Sequence, residues 1–351
     1  MTMVRRKINV LSIDGGGIRG IIPASLLIEI EKLIKTLSRN PEAEIADYFD
    51  LIAGTSTGGI LAALLLEPSG QYNATDMLSL YQTYGSDIFT RHQRTRFLDR
   101  RGLFSPLYSD APMNDLLKRY LGELKMSELK KPALIPTYNI ESGSATFISG
   151  IEILKQSAAD MRVRDVLRST IAAPTYFTPK QLAPDAAYVD GGLFANNPAL
   201  CAYIEATKFP SEPHPEDIHI LSLGTGSIHR RYPYERAKGW GKLGWMLPVL
   251  NIYASAASQT VDHQLAVMYA GKAHENNYLR IEPNLENYQN VRFEMDDASD
   301  ANMKALEAVG LDLYVKHETE LKTFIKNLVL NDALTKHQQL YERNDSSDTS
   351  V

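Results

Sequence analysis

INVLSIDGGGIRG at residues 8–20 and FDLIAGTSTGGILAALL at residues 49–65 decide how this chain folds. In the first stretch, Lys7 to Ile13 is largely apolar and β-branched and stops at Asp14-Gly15-Gly16-Gly17, which reads as a buried strand ending in a glycine turn. Pro23 suits a first helical turn. Leu26, Leu27, Ile30, Leu33, Ile34 and Leu37 then recur at helical spacing, which predicts an amphipathic helix over 22–38, broken by Asn40-Pro41. In the second stretch, Tyr48 to Ala53 reads as another buried strand and Gly58 to Leu66 as an apolar helix. Strand, turn and helix thus occur twice in succession, the pattern of a parallel sheet with crossover helices.

The same reading continues outward. Residues 68–130 look mostly helical. Ala133 to Tyr138, Ala145 to Ile148, Tyr188 to Val189 and Ile218 to Leu223 look like further strands. A helix starts over Val163 to Arg168 and ends near Ala172-Ala173-Pro174. Met303, Leu306 and Val309, then Leu321, Phe324, Ile325 and Leu328, mark two late helices. With 351 residues and no repeat or linker, one α/β domain over 1–335 is expected. The polar end, residues 336–351 closing on NDSSDTSV, is expected to lack structure.

Hydrophobic residues make up 44% and charged ones 23%, as in an ordinary soluble globular protein. The net charge of −5 gives no electrostatic reason to bind nucleic acid. Only a local basic patch would favour an anionic membrane, and Thr90 to Arg101 (with Arg91, Arg94, Arg96, Arg100 and Arg101) reads either as a solvated segment or as such a patch. The lone Cys201 forbids an intrachain disulfide and reads as a small buried residue. MTMVRRKINVLSID lacks the apolar core of a signal peptide, and the longest apolar run, Ile60 to Leu66, is too short to cross a bilayer. A soluble, cytoplasmic protein is expected.

Three glycine-rich stretches carry the chemistry. Gly54-Thr55-Ser56-Thr57-Gly58 lies between a buried strand and an apolar helix, the setting of a nucleophile elbow, with Ser56 at the tip and a helix N-terminus behind it. The bland reading is an ordinary β–α turn. Gly15, Gly17 and Gly20 fit the dinucleotide fingerprint, although the ribose-binding acid expected about twenty residues on is replaced by Ser38-Arg39-Asn40-Pro41. Alternatively, the bare N–H groups of the loop hold an oxyanion. Arg19 would steady that loop, bind a phosphate, or simply lie on the surface. Val189-Asp190-Gly191-Gly192 puts an acid at a strand end, either in a common Asp-Gly turn or as a rigidly held base. None of the eight histidines follows a late strand in the Ser…Asp…His order of the common hydrolases, so a triad is not supported and a serine–aspartate dyad remains. No metal-binding motif is present.

DGGGIRG, GTSTGG and DGG occur here in the order seen in the patatin-like phospholipases, and APTYFTP, YVDGGLFANNPA, LSLGTG and the MDDAS stretch of Phe293 to Leu306 resemble that family too. The resemblance implies a three-layer α/β/α sandwich around a mostly parallel sheet. It implies a serine hydrolase acting on carboxylic esters, a phospholipase A or related lipid acyl hydrolase. Ser56 would form the acyl-enzyme and Asp190 would be the base. Gly15, Gly16 and Gly17 would line the oxyanion hole, with Arg19, Gly54, Gly58, Gly191 and Gly192 in support. No cofactor or metal is implied. The partners implied are a membrane phospholipid or other acyl lipid as substrate and a transient membrane surface. Relatives switched on by a host protein or a nucleotide signal exist, but nothing in this sequence selects that role.

Other readings stay open at this level: a nucleotide-binding protein built on the Gly15/Gly17/Gly20 loop, a catalytically silent lipid-binding or storage protein, and an acyl transferase. The stretch Gly239 to Ala257, with Trp240, Trp245, Met246, Leu247, Val249, Leu250 and Ile252, reads as a core helix near the site or as a membrane-facing one.

Overall fold

The computed structural model describes residues 6–90, 105–271 and 276–348. From Arg91 on, the basic run lies outside the described residues. The strands in chain order are β1 (Ile8–Ile13), β2 (Leu51–Gly54), β3 (Ala133–Asn139), β4 (Ser144–Ser149), β5 (Lys180–Ala183), β6 (Ala186–Asp190), β7 (Ile218–Leu223) and β8 (Tyr278–Ile281). The longer helices are α1 (Ile21–Ser38), α2 (Thr57–Leu65), α3 (Ala74–Ile88), α4 (Ala111–Leu121), α5 (Val163–Thr170), α6 (Ala199–Ala206), α7 (Lys242–Met268), α8 (Asp300–Lys316) and α9 (Glu318–Asp348). The described strands form one sheet in the order β5-β6-β3-β2-β1-β7-β8, with β4 on the remaining edge of β3. β1 is parallel to β2 and to β7, and β7 to β8.

Successive side chains of a strand point to opposite faces, so the sheet serves two cores. Leu11, Ile13, Ile52, Leu221 and Leu223 pack with α1, α2, α3, α5, α8 and α9. Their neighbours in sequence, Ile8, Val10, Leu51, Ala53, Ile218 and Ile220, pack on the other face with α6 and the end of α7. This is why β1 is buried along its whole length and shows no polar alternation. Each leucine or isoleucine so covered contributes roughly 1.5–3 kcal/mol. The result is the expected three-layer α/β/α fold around a mostly parallel sheet.

Helices linking β1 to β2 and β2 to β3 lie on the first face; α7, linking β7 to β8, returns on the second. The chain therefore winds away from β1 and β7 in opposite directions. In open α/β sheets the crevice beyond such strand ends is where ligands bind. Asp14–Gly17 after β1 and Gly224–Gly226 after β7 border that crevice.

Several boundaries differ from the sequence reading. β2 starts at Leu51, not Tyr48, because Glu44 and Asp47 form a capping box that turns Ile45–Tyr48 into a short helix. The helical backbone of α9 runs to Asp348, over most of the tail expected to lack structure. The stretch Gly239 to Ala257 is not a core helix: on α7, Leu243, Met246, Val249 and Tyr253 are exposed. No described helix is long and apolar enough to cross a membrane.

Candidate active site

Strand register brings Ser56 and Asp190 together. Ala53 on β2 lies opposite Leu134 on β3. β4 occupies one edge of β3 from Leu134 to Asn139. Where β2 ends at Gly54, β6 takes over the other edge in the antiparallel sense, with Asp190 opposite Thr137. Thr137 lies as far beyond Leu134 as Ser56 lies beyond Ala53, so the two side chains meet past the end of β2. Strands sit about 4.8 Å apart, which is contact distance for such neighbours.

Ser56 has φ 53° and ψ −120°, a positive φ in a residue that is not glycine. Such a backbone costs about 1–3 kcal/mol and persists only when its surroundings hold it. Here the Ser56 N–H donates to Thr170 Oγ1 at 3.0 Å, and the Thr170 hydroxyl donates to the Pro136 carbonyl at 2.7 Å. The Thr55 hydroxyl donates to the Ala195 carbonyl at 2.7 Å, and the Gly58 N–H closes the turn on the Thr55 carbonyl at 2.8 Å. The turn is tight enough to require two glycines. A Cβ on Gly54 would stand 2.2 Å from the Gly58 carbonyl oxygen, and one on Gly58 would stand 2.2 Å from that of Ile13. Helix α2 starts at Thr57 and aims its positive end at the serine.

Asp190 is buried, and its Oδ1 accepts the Gly192 N–H at 2.7 Å. Burial drives its carboxyl up to about 6, against the opposing pull of hydrogen bonds from the Ser56 hydroxyl and the Gly192 N–H. Gly191 is fixed by crowding, since a Cβ there would meet the Pro136 carbonyl at 2.3 Å. Ser56 itself is only partly covered.

The Gly15–Gly17 loop closes over the pair: a Cβ on Gly15 would lie 3.3 Å from Ser56 Cβ. Its N–H groups are not equivalent. That of Gly15 donates to the Asn196 carbonyl at 3.1 Å. Those of Gly16 and Gly17 have no acceptor among the described residues. Thr225 Oγ1 at 2.5 Å and Asn196 Nδ2 at 3.3 Å both donate to the Gly15 carbonyl and fix the loop.

A sequence model described as patatin-like phospholipase matches residues 11–203. Patatin-04/09 of Solanum tuberosum is 33% identical over 92% of this chain and 89% of its own. Patatin-2-Kuras 1 of the same plant is 32% identical over 92% of each. The chain belongs to the patatin-like phospholipase family. That membership makes it a lipid acyl hydrolase. A solved structure of VipD from Legionella pneumophila covers 88% of this chain and 67% of its own at 14% identity and a TM-score of 0.36, too weak a likeness to bear on the fold.

In this patatin-like phospholipase, Arg19 is buried, not on the surface, and donates to the Gly226 carbonyl at 3.2 Å. It joins a charge cluster that sequence reasoning did not find. Arg280 on β8 holds Asp14 in two hydrogen bonds of 2.8 and 2.6 Å, donates to Ser222 Oγ at 2.7 Å, and also grips Glu282. Burial pushes the Asp14 carboxyl upward and that of Glu282 to about 7, while Arg280 pulls both back. The only sequence signal for this cluster was an arginine in a short apolar strand, YLRI.

Other sequence candidates fall away from the site. Among the described residues no histidine bonds to Ser56 or Asp190, and no group of three or more His, Cys, Asp or Glu could hold a metal. His92 and His274 lie outside the described residues. β2 ends at the Ser56 turn with no acid to receive a ribose hydroxyl, which weakens the dinucleotide reading of the glycine loop. Burial pushes the Cys201 thiol up to about 11, which leaves it unreactive.

Proposed function

We propose that this chain is a serine lipid acyl hydrolase of the phospholipase A type, in which Ser56 is the nucleophile and Asp190 the only base. The observation that carries the reading is the buried Asp190 carboxylate, raised to about 6 and hydrogen-bonded by the Ser56 hydroxyl. A base is most useful with its pKa near the working pH.

The Ser56 oxygen attacks the ester carbonyl carbon as its proton passes to Asp190, and the carbonyl π electrons move to oxygen. The resulting oxyanion takes N–H donors from Gly16 and Gly17, helped by the α2 N-terminus; the Gly15 N–H, already given to Asn196, is left out of this role. Collapse expels the lipid alcohol, which carries away the proton from Asp190 and leaves the acyl-enzyme. Water then gives its proton to Asp190, attacks the acyl carbon, and a second collapse returns Ser56 and a free fatty acid. Arg19, Gly54, Gly58, Gly191 and Gly192 hold the geometry. The substrate lies in a membrane, so contact with that surface is transient and part of each encounter.

The test is fatty-acid release from phospholipid vesicles by the parent, Ser56→Ala and Asp190→Ala, with a chelator present. Release by the parent that falls by about 10⁴-fold or more in both variants is expected for residues that act as a unit. Full activity in Asp190→Ala would sink the dyad.

A further inference from the structure

The first half of α7 carries an apolar helix face that no described residue covers. Leu243, Met246 and Val249 are 87%, 59% and 51% exposed, and Ile252 and Tyr253 are exposed as well. At 100° per residue, Trp245, Met246, Val249, Ile252 and Tyr253 fall within roughly one third of the helix circumference. They form a stripe, not scattered apolar residues of the kind any surface carries.

Position ties this stripe to the active-site end of the sheet. The far end of α7 is anchored: Leu265 is buried, and the Tyr269 hydroxyl donates at 3.0 Å to the carbonyl of Ile218, the first residue of β7. From there the helix runs back toward the carboxyl end of β7. The 27 residues of α7 span about 40 Å, whereas the six of β7 span about 20 Å. Its first half therefore projects beyond the strand ends, on the side of Ser56. Helix α7 packs against the short helix Gly192–Ala195 that follows Asp190, whose Leu193 is also exposed.

Charge selects the occupant. The segment 229–242, leading into α7, carries Arg230, Arg231, Arg236, Lys238 and Lys242 against the single acid Glu235, in a protein whose net charge is −5. All five cations are exposed. Tyr232, Trp240 and Trp245 stack edge to face along the same approach, with centroids 5.8 and 5.2 Å apart. Cations beside tryptophan and an aliphatic stripe are what an anionic bilayer surface accommodates, since charge meets the head groups and the rings sit at the boundary. A second copy of this chain would bring like charges together.

We infer that the first half of α7 and the basic segment before it form the surface by which this enzyme docks on anionic membranes, presenting Ser56 to the lipid. The inference rests on the lipid-hydrolase reading for its purpose, but its test does not. Trp240 and Trp245 are the only two tryptophans, so tryptophan emission, excited selectively over that of the tyrosines, reports on this surface alone.

Binding is measured on full-length Ser56→Ala, which leaves the vesicles intact. On vesicles of phosphatidylcholine mixed with phosphatidylglycerol the emission should move to shorter wavelength. The shift should weaken with added salt and be much smaller on phosphatidylcholine alone. Met246→Asp with Val249→Asp should weaken partitioning by roughly tenfold or more. Arg230→Gln and Arg231→Gln should weaken it about fivefold each on the anionic vesicles. Unchanged melting temperatures would show that these variants fold, and the parent's own emission shift decides the matter even where they do not. No shift on either vesicle, an equal shift on both, or a shift that follows protein concentration without lipid would overturn the inference. Hydrolysis of a soluble short-chain ester by the parent is scored separately. If it is absent while the shift persists, the docking surface stands and the Ser56–Asp190 reading fails.

Discussion

Replacing Asp190 by Asn should destroy activity and strengthen the fold. In the folded chain the carboxyl is raised from 3.8 to about 6, chiefly by burial. A rise of that size corresponds to about 3 kcal/mol, which the ionised group withholds from stability at neutral pH. Proton uptake gives the sign: between about pH 4 and 6 the folded state holds a proton that the unfolded state has lost, so stability falls as pH rises through that window. Asparagine is neutral at every pH, keeps an oxygen for the Gly192 N–H, and can donate to the Ser56 oxygen. With an unfolding entropy near 0.7 kcal/mol/K for a chain of this size, removing about 3 kcal/mol of penalty raises the melting temperature by about 4 °C. Scanning calorimetry of parent and Asp190→Asn at pH 8 should show that gap. It should narrow below about pH 6 and nearly close near pH 4, where Asp190 is neutral in both states. A variant less stable than the parent at pH 8, or a gap indifferent to pH, would refute the claim that desolvation sets the basicity of Asp190.

The same carboxyl predicts that kcat/KM rises with pH and is half-maximal near 6, measured on a soluble ester so that lipid charge does not intervene. Thr170→Val keeps the shape but removes the hydroxyl that joins the Ser56 N–H to the Pro136 carbonyl. It should cost about 1–3 kcal/mol of stability and lower kcat by roughly tenfold with little change in KM, since a misplaced nucleophile weakens chemistry more than binding. Arg280→Met leaves Asp14 and Glu282 buried without their shared cation and should cost about 3–5 kcal/mol in denaturant unfolding at pH 8. Without that cation Glu282 takes up its proton at a higher pH than in the parent, so the loss should shrink as pH falls toward about 7 and change little below it.

The parts of the fold that were legible in the sequence are those with one dominant local signal. β1 and α1 could be read because an unbroken apolar run and a helical stripe each have a single solution, and glycine then marks where the chain must turn. Ser56, Asp190 and the Gly15–Gly17 loop were legible for the same reason, since each follows a strand in a glycine frame. β5 and β8 were not: KQLA and YLRI are four residues long and carry a cation each, so neither alternation nor an apolar run distinguishes them. The clamp from Thr170 and the grip of Arg280 on Asp14 depend on register across the sheet, which no local pattern encodes. The glycine loop showed that several N–H groups converge, but only the structure showed that Asn196 takes the one from Gly15. The α7 stretch was ambiguous because an apolar stripe looks alike whether it faces a core or a membrane; its exposure removes the core reading.

The proposal that a carboxylate alone serves as the base is supported by where the sheet puts its groups. His219, the one histidine within a described strand, is the second residue of β7 and lies opposite Asn9 on β1. It is thus about 13 Å of strand away from the carboxyl end where Ser56 sits. Burial also lowers its pKa to about 4, so it is neutral and enclosed by other groups. Asp190, the proposed base, reaches that end on β6, which runs antiparallel to β3 and places it opposite Thr137. An ordinary aspartate, with a pKa of 3.8, would be a weak acceptor for a serine proton. The cover that raises Asp190 to about 6 makes it a stronger acceptor by roughly a hundredfold in proton affinity. Basicity and burial are then one property: a change that lets water reach Asp190 should lower its pKa, stabilise the folded chain at neutral pH and slow acyl transfer together.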